Sequence, residues 1–575
     1  MYTIPNIKKA LISDGTIAAE EFDKHLKVSE QKGEDILQYL VGQKVIGEEQ
    51  LYSLLAASVG KPFISLKDKA IRQDILFAIP EPIAKVHDVV AFEMGEHGEL
   101  KVAAVDPDDI QIFEFIEKKN KVSVDVSLAS PTSIHQALRL YHQSIETELQ
   151  GLTKEAAGDS HGEELKKLAA DLPVVRLVNS LLEFAIFEGA SDIHIEPEEK
   201  ELSIRYRVDG ILRKVMTLPK HILSGIVARI KILSNLKLDE HRLPQDGRFK
   251  IEDENYRISF RVSTLPVFDG EKIVLRILDE SSQQLKLEDL GFREKDMQKI
   301  IAGIGRPHGM ILVTGPTGSG KTTTLYAILN RLNTPDVNIS TIEDPIEYRM
   351  PRVNQSQVNP KIGFTFANGL RALLRQDPNI IMVGEIRDQE TVDIAIQAAM
   401  TGHKVLSTLH TNDAPGTLPR LLDMGVVSFL IASTVHLVMA QRLVRKICQN
   451  CIMSYTLDKE AVNDLARKLD ITAFVKLLQD EGLADAKDKN VQKLLFFKGK
   501  GCNKCGQSGY KGRMGIYEIL EVTETVQKLI ISKASTSEIM TAARSGGMTT
   551  MFEDGLIKAK NGVTTLEEIL RVTKE

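Results

Sequence analysis

The C-terminal half of this 575-residue chain predicts an α/β fold, a mostly parallel sheet organised around a glycine-rich loop. Three observations lead there. GMILVT reads as a buried strand, GPTGSGKT (315–322) as a loop that completes the GxxxxGK[ST] pattern, and TTTLYAILNRL as a helix. The apolar strands NISTIE, NIIMVG and VLSTLH then alternate with helical stretches to about residue 440, the order a parallel sheet needs because each return crossing runs through a helix. These strands also end on chemistry: Glu343 and Asp344, Glu385, and His410.

The loop supplies the first candidate site. Glycines let backbone N–H groups converge on phosphate oxygens where a Cβ would obstruct them. Gly315, Pro316, Thr317, Gly318, Ser319, Gly320, Lys321, Thr322 and Thr323 therefore form the candidate ATP cradle. Lys321 brings a point charge to the β- and γ-phosphates, and Thr322 a hydroxyl to Mg²⁺. A carboxylate at a neighbouring strand end is the other half of such a site. Glu385 is placed to hold Mg²⁺ through water and Glu343 to orient the attacking water, although two strand-end acids can exchange these roles. Alone, either acid reads as a solvated strand end; behind a phosphate loop that bland reading weakens. His403 and His410 flank VLSTLH, and a lone histidine beyond a strand is as easily structural as functional.

The remainder divides by composition. Residues 1–60 read as short amphipathic helices with a weak repeat of 29 residues: Leu11, Ile17, Phe22 and Leu26 recur as Leu40, Ile46, Leu51 and Leu55. Short strands and helices over 61–145 make a small α/β unit, so 1–145 is expected to be one partner-docking domain. The polar, aromatic-free 146–168 reads as a flexible linker. Strands surround one helix over 169–280, a connector follows over 281–299, and the ATPase domain takes 300–575. No apolar run reaches eighteen residues and the start lacks a signal-peptide core, so the chain is expected in the cytoplasm, touching membrane only through partners.

Four cysteines fall in two CxxC pairs, Cys448 with Cys451 and Cys502 with Cys505. Two such knuckles suit one tetrahedral, closed and therefore structural zinc site; the competing readings are redox pairs or chance. The long insert between them predicts a helical excursion tied at its base, within a subdomain over 440–515.

GPTGSGKTTTLY, STIEDPIEY, LLRQDPNIIMVGEIRDQET and TGHKVLSTLHTNDAP resemble the Walker A, Asp box, Walker B and His box of the secretion-superfamily ATPases. SDIHIEP, RYRVDG, PQDGR and RVSTLP…GEKIVLRIL are similar to that family's second N-terminal domain, and AQRLVRKICQNC with CNKCGQSGYKGRMGIYEIL to its zinc subdomain. The resemblance implies a RecA-like P-loop core, a PAS-like α+β second domain, and a homo-hexamer with ATP, Mg²⁺ and Zn²⁺. Arg261 and Arg276 would reach a neighbouring chain's ATP, Arg371, Arg375 and Arg387 would line the core's own side, and His403 and His410 would sense the γ-phosphate; ordinary ion pairs are the alternative for the arginines. A polytopic inner-membrane platform protein and cytoplasmic docking proteins are the implied partners. Retraction motors of this family lack the long N-terminal region and the cysteines. Pilus extension motors and type II secretion motors have both, and the stretch VNQSQVNPKIGFTFANGLRALLRQDP with the RVTKE ending resembles the former.

Two further readings concern ligands, the first from the same resemblance and the second from composition. N-terminal regions that bind cyclic di-GMP repeat RLGxxLxxxGxxxxxxLxxxLxxQ; here both copies lack the Arg and the Gln, and Lys44 replaces the second glycine. The helical framework is expected to survive without tight dinucleotide binding. A nucleic-acid motor would show a basic domain or stripe. The total of 73 Lys+Arg against 79 Asp+Glu offers none, acids interleave with the arginines of 204–276, and there is no Trp for stacking, so no nucleic acid is expected.

Overall fold

The computed structural model describes residues 4–573 except 15, 33–34, 68, 81–82, 85–86, 96, 139, 142–171, 253–256, 280–285, 468–470, 485–490 and 503–504. The linker expected over 146–168 lies outside the described residues, as do residues 281–285 of the connector expected over 281–299. The chain divides into two compact units, residues 1–251 with 259–277, and 278–575 with 252–258.

In the first unit, helices Ile4–Ser13, Ala19–Lys32, Ile36–Gly42 and Glu48–Val59 pack on one another. Leu11, Ile17, Phe22, Leu40, Ile46, Leu51 and Leu55 are all buried in one cluster, with Leu26 packed against it, as the repeat requires. Lys44 takes φ 57°, a left-handed conformation that suits glycine. Strands β1 (Val89–Met94), β2 (Leu100–Ala104) and β3 (Val124–Leu128) form a separate three-stranded sheet.

Strands β4 (Asp192–Pro197), β5 (Glu201–Val208), β6 (Ile211–Pro219), β7 (Gln245–Glu252), β8 (Arg257–Val267) and β9 (Gly270–Asp279) make a six-stranded sheet in the order β6-β5-β4-β9-β8-β7. Its alternation buries Ile193, Ile195, Ile204, Tyr206, Phe260, Val262, Ile273 and Leu275. Helix Leu172–Phe187 covers that face, with the Tyr206 hydroxyl donating to the Leu181 carbonyl at 2.6 Å. Arg261 and Arg276 alternate with these buried residues and so stand on the opposite face.

The second unit is built on a seven-stranded sheet. Strands β10 (Gly309–Thr314), β11 (Ile339–Glu343), β12 (Val353–Gln357), β13 (Ile380–Val383), β14 (Lys404–Leu409), β15 (Val435–Ile447) and β18 (Tyr510–Glu521) run in the order β12-β11-β13-β14-β10-β15-β18. β15 pairs antiparallel with β18, and the other pairs are parallel. Both faces are covered, which is why these strands read as unbroken apolar runs. On β10, Met310 and Leu312 join one cluster with Ile394, Ala395 and Ala398, while Ile311 and Val313 join the other with Ile300, Leu325 and Ile328. Between the CxxC pairs, β16 (Ile452–Thr456) and β17 (Leu495–Gly499) pair antiparallel, with helices Lys459–Ala466 and Ile471–Asp480 between them. That is the tied helical excursion expected from the sequence.

Candidate functional site

The apolar strand β10 stops at Thr314 because the next six residues cannot continue it. Gly315, Gly318 and Gly320 take φ of 139°, 78° and 91°. A Cβ on Gly315 would lie 2.4 Å from the Gln441 carbonyl oxygen, so the loop seats on β15 only with glycine there. Pro316, Thr317 and Gly318 are exposed and Ser319 is buried. Helix Lys321–Leu332 then begins, with Thr322 and Thr323 half-buried in its first turn. The Lys321 ammonium folds back over the loop, donating to the carbonyls of Gly315 at 2.8 Å and Pro316 at 3.2 Å. Burial lowers its pKa, and the nearby Glu385 carboxylate opposes that shift.

The sheet order brings β14 beside β10, and β13 beside β14. Register pairs Thr314 with Leu409, so His410 emerges next to the loop, and the Thr411 N–H donates to the Thr314 hydroxyl at 2.8 Å. Glu385, two residues past β13, meets Arg387 at 2.6 Å and the His410 ring at 3.3 Å. Lys321, Glu385, Arg387 and His410 thus form one cluster of exposed and half-buried charge around the loop.

Glu343 lies apart from that cluster in character. It is 2% exposed and accepts hydrogen bonds from the Tyr326 hydroxyl, the Thr341 hydroxyl at 2.6 Å and the Gln355 amide at 3.2 Å. Burial pushes its carboxyl up, and these donors pull it back.

His403 does not join the site within one chain. The same register pairs Gly309 with Lys404, which puts His403 before the strand's first residue. Six strand residues separate it from His410, about 23 Å over seven steps at the rise of a parallel strand. Its ring instead binds the Ala398 carbonyl at 3.0 Å, finishing the helix before it. Arg371 and Arg375 are exposed; Arg371 pairs with Glu390 at 2.6 Å and Arg375 donates to the Arg371 carbonyl at 2.9 Å.

The four cysteines meet in space. Cys448 follows β15, and the other three lie within 4.8 Å of it and of one another, atom to atom. The Sγ separations include 3.8 Å (Cys448–Cys502), 3.9 Å (Cys451–Cys505) and 3.7 Å (Cys502–Cys505). Ligands on a tetrahedron of radius about 2.3 Å stand about 3.8 Å apart, so the thiols fit one zinc ion. The N–H groups of Cys502 and Gly509 each donate to the Cys505 sulfur at 3.2 Å. Gly499 and Gly509 let two backbones touch beside it, since a Cβ on Gly499 would fall 2.1 Å from the Gly509 oxygen.

Residues 167–571 match the family described as type II/IV secretion system protein. The chain belongs to that family. It is an ATPase, and the family implies ATP and Mg²⁺. Residues 59–148 match the MshEN domain. The type IV pilus assembly ATPase PilB of Myxococcus xanthus is 39% identical over 97% of this chain and 97% of its own. The type II secretion system ATPase E of Vibrio cholerae is 47% identical over 72% of this chain and 78% of its own. Among solved structures, the Yersinia pseudotuberculosis ATPase DotB covers 69% of this chain and 92% of its own, with a TM-score of 0.50 and 21% identity, a likeness of fold. Among the described residues, no helix is long and apolar enough to cross a membrane.

In this secretion ATPase, two candidate trans arginines belong to the first unit. Arg276 is half-exposed and its guanidinium meets Asp192 at 3.1 Å, a carboxylate shared with Arg207 at 3.4 Å. Arg261 is half-buried on β8. Two residues missed in the sequence also shape the site. Tyr326 joins the loop's helix to Glu343, and Gln441 holds the loop from β15. Gln441 carried a weak signal: it is a polar residue directly after the apolar stretch LVMA.

Proposed function

We propose that this ATPase is the motor of type IV pilus assembly, working as a homo-hexamer on the cytoplasmic face of the inner membrane beneath a polytopic platform protein, with cytoplasmic docking proteins alongside. One observation carries the reading: likeness to the pilus assembly ATPase extends over nearly the whole of both chains, N-terminal region included, whereas the secretion ATPase aligns with 72% of this one. The higher identity of that secretion relative, 47%, favours a second reading as a type II secretion motor. Deleting the coding sequence from the cell that makes the protein should abolish surface pili and leave exported enzymes at their normal level. Intact pili with failed export would reverse the assignment.

In the chemistry proposed, Lys321 and the loop N–H groups hold the phosphates, Thr322 and Glu385 hold Mg²⁺, and Glu343 orients the attacking water. Arg387 and His410 adjust the Glu385 carboxylate, and Arg261 and Arg276 act on a neighbour's ATP. Bound Mg²⁺ would neutralise charge developing on the transferred phosphoryl group. Glu343→Gln should bind MgATP nearly normally and turn over at least ~10²-fold more slowly, the scale of a lost base or water-positioning group. Glu385→Gln should lose rate and also shift the Mg²⁺ titration to higher concentration. Superimposable Mg²⁺ titrations would reject this division of labour. The proposal for Cys448, Cys451, Cys502 and Cys505 is one structural zinc.

A further inference from the structure

We propose that Gln441 is a positioning residue for the nucleotide's phosphates, acting through the loop that binds them; the inference rests on the reading of 315–322 as the phosphate loop. Gln441 is 1% exposed in the middle of β15, beside Met439 and Ala440, which are fully buried. A buried amide is costly unless both of its ends are bonded, and here both are. Its Nε2 donates to the Ser319 carbonyl at 2.7 Å, and its Oε1 accepts from the Thr324 hydroxyl at 2.7 Å. One side chain therefore spans the joint between loop and helix, where Gly320 and Lys321 lie.

The first of these bonds sets a direction. In a trans peptide the C=O and the following N–H point opposite ways. With the Ser319 carbonyl drawn inward to Gln441, the Gly320 N–H faces away from β15. That keeps a donor turned outward where an anion approaches, and keeps a carbonyl from repelling it. The glycines record the same seat: a Cβ on Gly315 would strike the Gln441 carbonyl oxygen, and one on Gly320 would lie 3.1 Å from the Gln441 Nε2. Loop and strand fit at both ends, with Gln441 between.

The test is nucleotide binding by the full chain, measured with MgADP by calorimetry alongside ATP turnover. Gln441→Met keeps the length and removes both bonds. It should weaken MgADP about 10-fold and raise KM for ATP about as much, the effect of losing roughly one net hydrogen bond's worth of loop order, with a smaller change in kcat. Gln441→Glu keeps the acceptor for Thr324 but sets a carboxylate against the Ser319 carbonyl, and should bind no better than Gln441→Met. Thr324→Val should weaken binding less, and Gln441→Met with Thr324→Val should be no worse than Gln441→Met alone, because the two act as one unit. If Gln441→Met does not fold, Thr324→Val carries the test. Normal MgADP affinity in the variants, with only a lowered melting temperature, would make Gln441 a packing residue and overturn the proposal. Lys321→Ala binding MgADP as well as the unaltered chain would instead overturn the phosphate-loop reading, and this inference with it.

Discussion

Arg276→Ala should hydrolyse ATP about 10³-fold more slowly than the unaltered protein, the lower end of what a guanidinium at a transferring phosphoryl group contributes. The loss is expected to be almost wholly catalytic. Leu275 and Ile273 are buried on one side of β9, while the Arg276 side chain is half-exposed on the other. Truncating it removes no buried apolar side chain, and the buried Asp192 keeps Arg207 at 3.4 Å as a partner. The melting temperature should therefore barely move. The Asp192 carboxylate lies 3.1 Å from the guanidinium and fixes where it sits on the sheet. Mixing decides whether it acts across chains. Lys321→Ala chains lack a working phosphate loop and keep Arg276; Arg276→Ala chains have the reverse. Combined, with co-assembly shown first, they should regain measurable turnover because an intact loop can meet an intact arginine from its neighbour. Mixed hexamers as inactive as either parent would remove the trans assignment, and full turnover by Arg276→Ala would leave the residue as the ion-pair partner of Asp192.

Local pattern made much of this fold legible. The 29-residue repeat named the helical core residues because apolar spacing is set by the helix itself. The unbroken apolar runs around GPTGSGKT marked strands of a mostly parallel sheet, and the loop's glycines marked positions where a Cβ would obstruct. Two features lay beyond local pattern. Gln441 reaches Ser319 across 122 residues, and nothing in AQRL says which neighbour its amide will find. His403 differs for the opposite reason: it and His410 are close in sequence, yet β14 separates them in space, and within one chain only His410 stands beside the loop. Glu343 is intermediate: its position at a strand end was legible, but its enclosure by Tyr326, Thr341 and Gln355 depends on side chains from two other elements.

Protein purified without chelator should contain about one zinc per chain, and removing it should cost both stability and activity. The four thiols already stand at tetrahedral spacing, so the metal would close a site that the fold has shaped. Without it, four sulfurs would crowd a mostly buried space. The site is also tied to the catalytic loop by covalent geometry. β15 carries Gln441 at its middle and ends one residue before Cys448. The Cys448 N–H donates to the Gly509 carbonyl at 2.9 Å, just before β18 begins. Loosening the cysteine centre should therefore fray β15 and β18 together from that end. Cys505→Ser or chelation is expected to lower the melting temperature by several degrees or more, as a loss of ~2 kcal/mol or above would in a domain of this size. Nucleotide affinity should fall with it, because the strand under the phosphate loop loses its anchor. Elemental analysis, thermal melts and MgADP binding on the same preparations measure all three. A metal-free chain that melts and binds nucleotide as the native one does would show that the cysteines cluster without a metal role.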